Sequence, residues 1–154
     1  MLSKQDIEYV RTVSILAALD DDVVARIVRL ASKHTYAKGD LVYQEGEPAK
    51  EMIVVLSGRL EIFKRGRNGR EARIAALVPG DVVGEMSLVD IQPRSAAVRA
   101  TEDTAVFVLT HADLAAVYRE DPHAYTLLLL NLAKALAGKL ARANLSLRTS
   151  ARLA

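Results

Sequence analysis

The chain has 154 residues, about half of them apolar, a net charge of +2 and no cysteine. That length suits one domain, or one domain with an appendage, and half-apolar content is enough to bury an ordinary core. Disulfides and thiolate metal sites are excluded, and so weak a charge gives no argument for nucleic acid.

Residues 1–32 read as helical. "LDDDVVARIVRLA" places Val23, Val24, Ile27, Leu30 and Ala31 at helical spacing, with aspartates at the end where the helix dipole favours them. The preceding "SKQDIEYVRTVSIL" is a weaker helix, and the opening "MLSKQDIEYV" lacks the apolar segment of a secretory signal.

From 33 to 110 the pattern changes. Seven of the eight glycines lie between Gly39 and Gly84, and turn signals such as "EGEP", "GRNG" and "VPGD" recur. Between them sit short β-branched runs: "DLVYQ", "EMIVVL", "RLEIFKR", "ARIAALV", "DVVGE", "AAVRA" and "TAVFVL". Many short strands at near-regular intervals predict a mainly β, jelly-roll-like barrel with flanking helices. Leu60 and Ile62 are expected inward and Glu61 outward, and "RGRNGRE" is expected as a hairpin tip. His34 is placed before the first strand, and Met52 and Met86 are read as core fillers.

Helices return over 111–154. "THAD" predicts an N-cap at Thr110 closed by Asp113, and Pro122 suits the first turn of a helix running to about 147, with Gly138 its soft point. Leu129, Leu132, Leu136, Leu140, Ala143 and Leu147 recur at steps of three or four, a seam fit for a second copy of the chain or for the chain's own barrel. We expect a homodimer through it. The apolar run from Thr126 to Leu140 is short and interrupted by Asn131, Lys134 and Lys139, so no membrane span is expected and a cytoplasmic location is. Lys134, Lys139, Arg142, Arg148 and Arg152 are read as solvated charge near a helix C-terminus rather than a nucleic-acid surface.

Residues 80–98 carry the chemistry. In "GEMSLVDIQPRSAAV" a short helix begins just after Gly84, exposing backbone N–H groups suited to an anion. Arg94 adds a guanidinium fork, Ser95 a hydroxyl and Ala96 a backbone N–H, and the small Ala96 and Ala97 admit a ligand closely. Glu85 repels an anion, so its use is to accept hydrogen bonds from neutral hydroxyls. Phosphate at one end and a sugar hydroxyl at the other describe a nucleotide, and no Walker sequence accompanies them. The same residues also fit a plain salt bridge of Arg94 with Glu85 or Asp90, and Ser95 fits a turn hydroxyl equally well.

This stretch closely resembles the phosphate-binding cassette of cyclic nucleotide-binding domains, found in catabolite activator proteins, cyclic-nucleotide-dependent kinases and gated channels. "KGDLVYQEGEPAKEMIVVLSGRLEI" resembles the family's early strands, and the resemblance covers about residues 10–145. It implies that Glu85 binds the ribose 2′-hydroxyl, that Gly84 leaves room for the sugar, and that Arg94 binds the cyclic phosphate with Ser95 and Ala96. Met86 and Ser87 lie in the same cassette, and Gly39, Gly46 and Gly58 are implied as turn glycines. The long helix is implied as a lid and dimer contact, with Leu136, Lys139 and Leu140 as candidate base contacts. Lys139 and Leu140 stand where catabolite activator-type members carry a Thr-Ser pair on adenine.

The expected function is a non-enzymatic sensor of cyclic AMP, with cyclic GMP open, that signals to an unknown effector through its C-terminal helix. No cofactor or metal is expected, since His34, His111 and His123 lack metal-ligand spacing. No direct DNA binding is expected, because no winged helix-turn-helix follows. A ligand-free interaction module of the same fold, or a fragment of a cyclic AMP receptor-type regulator without its DNA-binding domain, are the alternatives.

Overall fold

The computed structural model describes residues 3–17 and 19–153, with side chains described up to Arg148. The expected contribution of Arg152 therefore lies outside the described side chains.

Ser3 caps α1 (Lys4–Arg11): its hydroxyl accepts from the Asp6 N–H while the Asp6 carboxylate accepts from the Ser3 N–H. The rest of the weaker helical segment forms only a single 3-10 turn, Ser14–Leu16. Helix α2 (Asp21–Leu30) opens on Asp21 and Asp22 and buries Val24, Ile27 and Val28.

Eight strands follow: β1 (Ser32–Tyr36), β2 (Leu41–Tyr43), β3 (Glu51–Ser57), β4 (Leu60–Arg65), β5 (Glu71–Leu77), β6 (Val82–Val83), β7 (Ala97–Ala100) and β8 (Thr104–Thr110). They make two four-stranded antiparallel sheets, in the orders β1-β8-β3-β6 and β2-β7-β4-β5, which form the jelly-roll-like barrel. His34 lies inside β1 rather than before the first strand, paired with Val106. Gly39, Gly46 and Gly58 all take positive φ at turns.

Strand β3 is a continuous apolar run because both of its faces are covered. Met52 and Val54, with Phe107 and Leu109 of β8, face the helices and meet Val10, Ile15 and Ile27. Ile53 and Val55, with Val106 and Val108, face the barrel interior beside Tyr43, Leu60 and Val98. On β4 Leu60 is buried, but a register shift between Ile62 and Phe63 buries Phe63 as well. Glu61 is not free in solvent: it accepts from Arg99 Nε at 2.5 Å, and that guanidinium also lies over the Phe63 ring.

The Thr110–Asp113 capping box starts α3 (His111–Glu120). The Asp121 carboxylate then accepts from the Ala124 N–H at 2.9 Å in the first turn of α4 (Pro122–Leu153). The leucine series on α4 is not one seam. Leu132 is buried in the chain's own core with Ala124 and Leu128, and Leu129 and Leu136 pack partly against it. Leu140 is 63% exposed, and Ala143 and Leu147 are exposed with it. The apolar run noted above belongs to a longer helix, and Pro122–Arg148 has the length and composition to cross a bilayer. That helix is here committed to the protein core through Leu128 and Leu132, and its Asn131 amide donates to the carbonyls of Ile15 and Ala17.

Candidate functional site

The site is built where β6 ends. Gly84 has φ +78°, a left-handed conformation that costs other residues on the order of 1–3 kcal/mol. A Cβ there would also strike the Arg94 guanidinium and come within 2.7 Å of the Glu51 carbonyl. Glycine is therefore required both by the turn and by the close approach of the arginine. The turn leads into a 3-10 helix, Glu85–Leu88, which buries Glu85, Ser87 and Leu88. The Ser87 hydroxyl donates to the Glu51 carbonyl at 2.8 Å, tying this helix to β3.

The segment from there to β7 is pinned to the loop after β2. Arg94 N–H donates to the Glu47 carbonyl and Gly46 N–H to the Arg94 carbonyl, each at 2.8 Å. Pro48 and Pro93 form an isolated bridge beside them. Two loops, distant in sequence, thereby fix the arginine backbone before any ligand arrives.

Arg94 is only 7% exposed. Its guanidinium lies 3.9 Å from the centroid of the Tyr43 ring, and Nη2 donates to the Glu51 carbonyl at 3.0 Å. The nearest carboxylate is Glu51, at 3.9 Å, not Glu85 or Asp90 as the sequence suggested. Burial is the main reason the Tyr43 hydroxyl is pushed up to about 12; the Glu85 and Glu51 charges add to the effect, and Arg94 opposes it. A flat aromatic face under a buried guanidinium holds the fork in one plane without neutralising it.

Glu85 is buried too, and its partner comes from α4. Lys139 Nζ donates to Glu85 Oε1 and, at 3.1 Å, to the carbonyl of Val82. Lys139 therefore reaches the cassette as a partner of its carboxylate. Leu136 packs partly against the helical core, Leu140 is exposed, and none of Leu136, Lys139 and Leu140 lines the hollow between Glu85 and Arg94.

Gly84, Glu85, Met86, Ser87, Arg94, Ser95 and Ala96 all line one hollow of about 270 Å³, with Tyr43 and Ile62 in its wall. Met86 is not a core filler: it stands 66% exposed at the rim, because the short helix turns Glu85, Ser87 and Leu88 inward instead. Met52, by contrast, is fully buried. Sequence reasoning missed Tyr43 and Glu51. Tyr43 carried a signal, an aromatic closing the first strand of the cassette's own sheet; Glu51 carried none, because its use lies in its main-chain carbonyl.

A buried cation and a buried carboxylate thus border one solvent-reached hollow of small-molecule size. The family model for the cyclic nucleotide-binding domain matches residues 33–121. The Cyclic AMP receptor protein of Thermus thermophilus is 36% identical over 115 residues, covering 75% of this chain and 51% of that protein. Glutaminase 2 of Bradyrhizobium diazoefficiens is 34% identical over 131 residues, covering 85% of this chain and 20% of that protein. Among solved structures, the N-terminal domain of a transcriptional regulator from Streptomyces coelicolor A3(2) superposes with a TM-score of 0.78 at 31% identity, covering 87% of this chain and 94% of that one. The chain spans about half the length, or less, of these curated relatives.

Proposed function

The chain belongs to the cyclic nucleotide-binding domain family, and on that premise we propose that it is a non-enzymatic sensor that binds a cyclic nucleotide in the hollow between Glu85 and Arg94. Cyclic AMP is the first candidate, given the named ligand of the Thermus relative, and cyclic GMP the second. Arg94 holds the cyclic phosphate, with the Ser95 hydroxyl and Ala96 N–H beside it. Glu85 accepts from the ribose hydroxyl, and Gly84 leaves the sugar room. Residues 33–110 are the binding unit, 1–32 its helical support and 111–154 the reporting helices. Occupancy favours the arrangement of α4 that suits the ligand, which is a population shift. The exposed Leu140, Leu145 and Leu147 offer a face for a second copy or for the effector that reads the signal.

The observation that carries this reading is the environment of Arg94. A guanidinium taken out of water is held by one backbone carbonyl, an aromatic face and a carboxylate 3.9 Å away. A buried charge so loosely compensated suits an anion that completes its fork. Calorimetry with cyclic AMP, cyclic GMP and AMP tests it. Arg94→Ala is expected to weaken cyclic nucleotide binding by ~2–3 kcal/mol, the scale of a lost charge-assisted hydrogen bond with its desolvated partner. Equal affinity in the two proteins would remove the assignment.

A second reading, an interaction module that uses no nucleotide, is favoured by one observation: the sugar's acceptor already has a partner in Lys139. A thermal-shift series separates the readings, because a ligand that binds the native state raises its melting temperature. No stabilisation by any cyclic nucleotide at millimolar concentration favours the second.

A further inference from the structure

We propose that Lys139 is an internal competitor for the ribose, a latch on α4 that nucleotide must displace from Glu85. This deepens the sensor reading and rests on it. The Lys139 ammonium is bonded to Glu85 Oε1, and the Glu85 side chain is only 8% exposed. Most of the reachable carboxylate is thus covered, and what remains belongs to a neutralised pair, a weaker hydrogen-bond acceptor than a bare carboxylate. A sugar hydroxyl and this ammonium compete for one group.

The displaced ammonium has somewhere to go. A second hollow, about 260 Å³, meets the first at Glu85, and Lys139 lies in the wall of this second hollow only. Asp81 lines it, offering another carboxylate, while Lys134 and Arg142 line it as like charges that press Lys139 toward Glu85 when no sugar is there. The latch also sits at a mechanical boundary. Gly138 precedes Lys139 directly, and glycine weakens a helix interior. From Lys139 to Arg148 every residue is exposed, so little apolar packing holds this stretch once the ion pair opens. The surrounding barrel does not need to move, because Ser87 and Arg94 are fixed to β3 and the neighbouring loop. Ligand entry is therefore converted at one side chain into freedom of the outer half of α4.

The test uses the full chain, Lys139→Met and Lys139→Arg, titrated with cyclic AMP by calorimetry. Removing the competitor is expected to tighten binding about tenfold, within the range usual for coupled sites; Lys139→Arg keeps the cation and stays near the parent. A second readout needs no nucleotide. The chain has no cysteine, so spin labels at Arg67→Cys and Ala141→Cys report the distance from the barrel to the outer half of α4. In unliganded Lys139→Met this distance distribution is expected to broaden. Unchanged or weaker affinity in Lys139→Met, with the parent still binding, overturns the latch and leaves the sensor reading standing. So does a distance distribution identical to that of the parent. If neither protein binds cyclic AMP or cyclic GMP at millimolar concentration, the sensor reading falls and the competition falls with it.

Discussion

Between Pro122 and Leu136, α4 sends Ala124, Leu128 and Leu132 into the helical cluster and rests beside Val117, Ile15 and Met52; from Lys139 to Arg148 the same helix, half leucine and alanine, is exposed throughout. The inner half is held by area removed from water, on the order of 1.5–3 kcal/mol for each fully buried leucine. The outer half reaches the barrel through Lys139, which is bonded to Glu85 and Val82. Burial is non-directional and hard to undo in parts, whereas an ion pair can be exchanged for another partner. On the proposed reading, the first is the anchor of α4 and the second its release.

Three measurements press on that contrast. The largest effect is expected from Leu128→Ala, which opens a cavity in the anchor and should cost ~3 kcal/mol in urea unfolding; a loss under about 1 kcal/mol would mean that the inner half is not the anchor. Alkali comes next, because it reaches the barrel side of the contrast. Tyr43 has a folded value of about 12 against an ordinary 10.0, burial being the chief cause. The unfolded chain sheds that proton first, so the stabilisation is complete below pH 10 and fades as the pH climbs from 10.0 toward 12. The loss should approach about 2.7 kcal/mol, two pH units at ~1.36 kcal/mol each. Tyrosinate absorbance should show Tyr43 titrating late among the five tyrosines, with Tyr36 also delayed, by burial first and by the Glu51 charge second, and Tyr43→Phe should remove the Tyr43 part of the alkaline slope. If Tyr43 ionised along with exposed tyrosines, the wall beneath Arg94 would be wetter than described. The smallest effect belongs to Leu140→Ala, expected within about 0.5 kcal/mol at low protein concentration. A larger loss that grows with protein concentration would show the outer half buried against a second copy.

The same helix shows what a sequence can and cannot convey. Its start at Pro122 and its soft point at Gly138 are local matters of backbone chemistry and were legible. Which leucines meet the chain's own core was not, because helical spacing marks a face without saying what covers it. The barrel behaved likewise. Runs such as "EMIVVL" and "TAVFVL" announce strands through β-branching between glycine turns. "SKHTY" was missed, since β1 pairs with β8 alone and carries polar residues through a largely exposed edge. At the site, the cassette's own members could be named, as they sit within a dozen residues. The companions of Arg94 could not: Tyr43 and the Glu51 carbonyl arrive by strand pairing from forty or more residues away. Lys139 was noticed for its place on the helix, but its choice of Glu85 depends on how α4 lies across β6, which only the packed core determines.

Asn131 sits in the anchored stretch and hands its amide protons to the far beginning of the chain, the carbonyls of Ile15 and Ala17. These bonds join α4 directly to the opening segment, without the strands as intermediary. On the proposed sensor reading, a reporter near Ser3 would stay still while one on the outer half of α4 moves, so the opening of the chain serves as a built-in reference point.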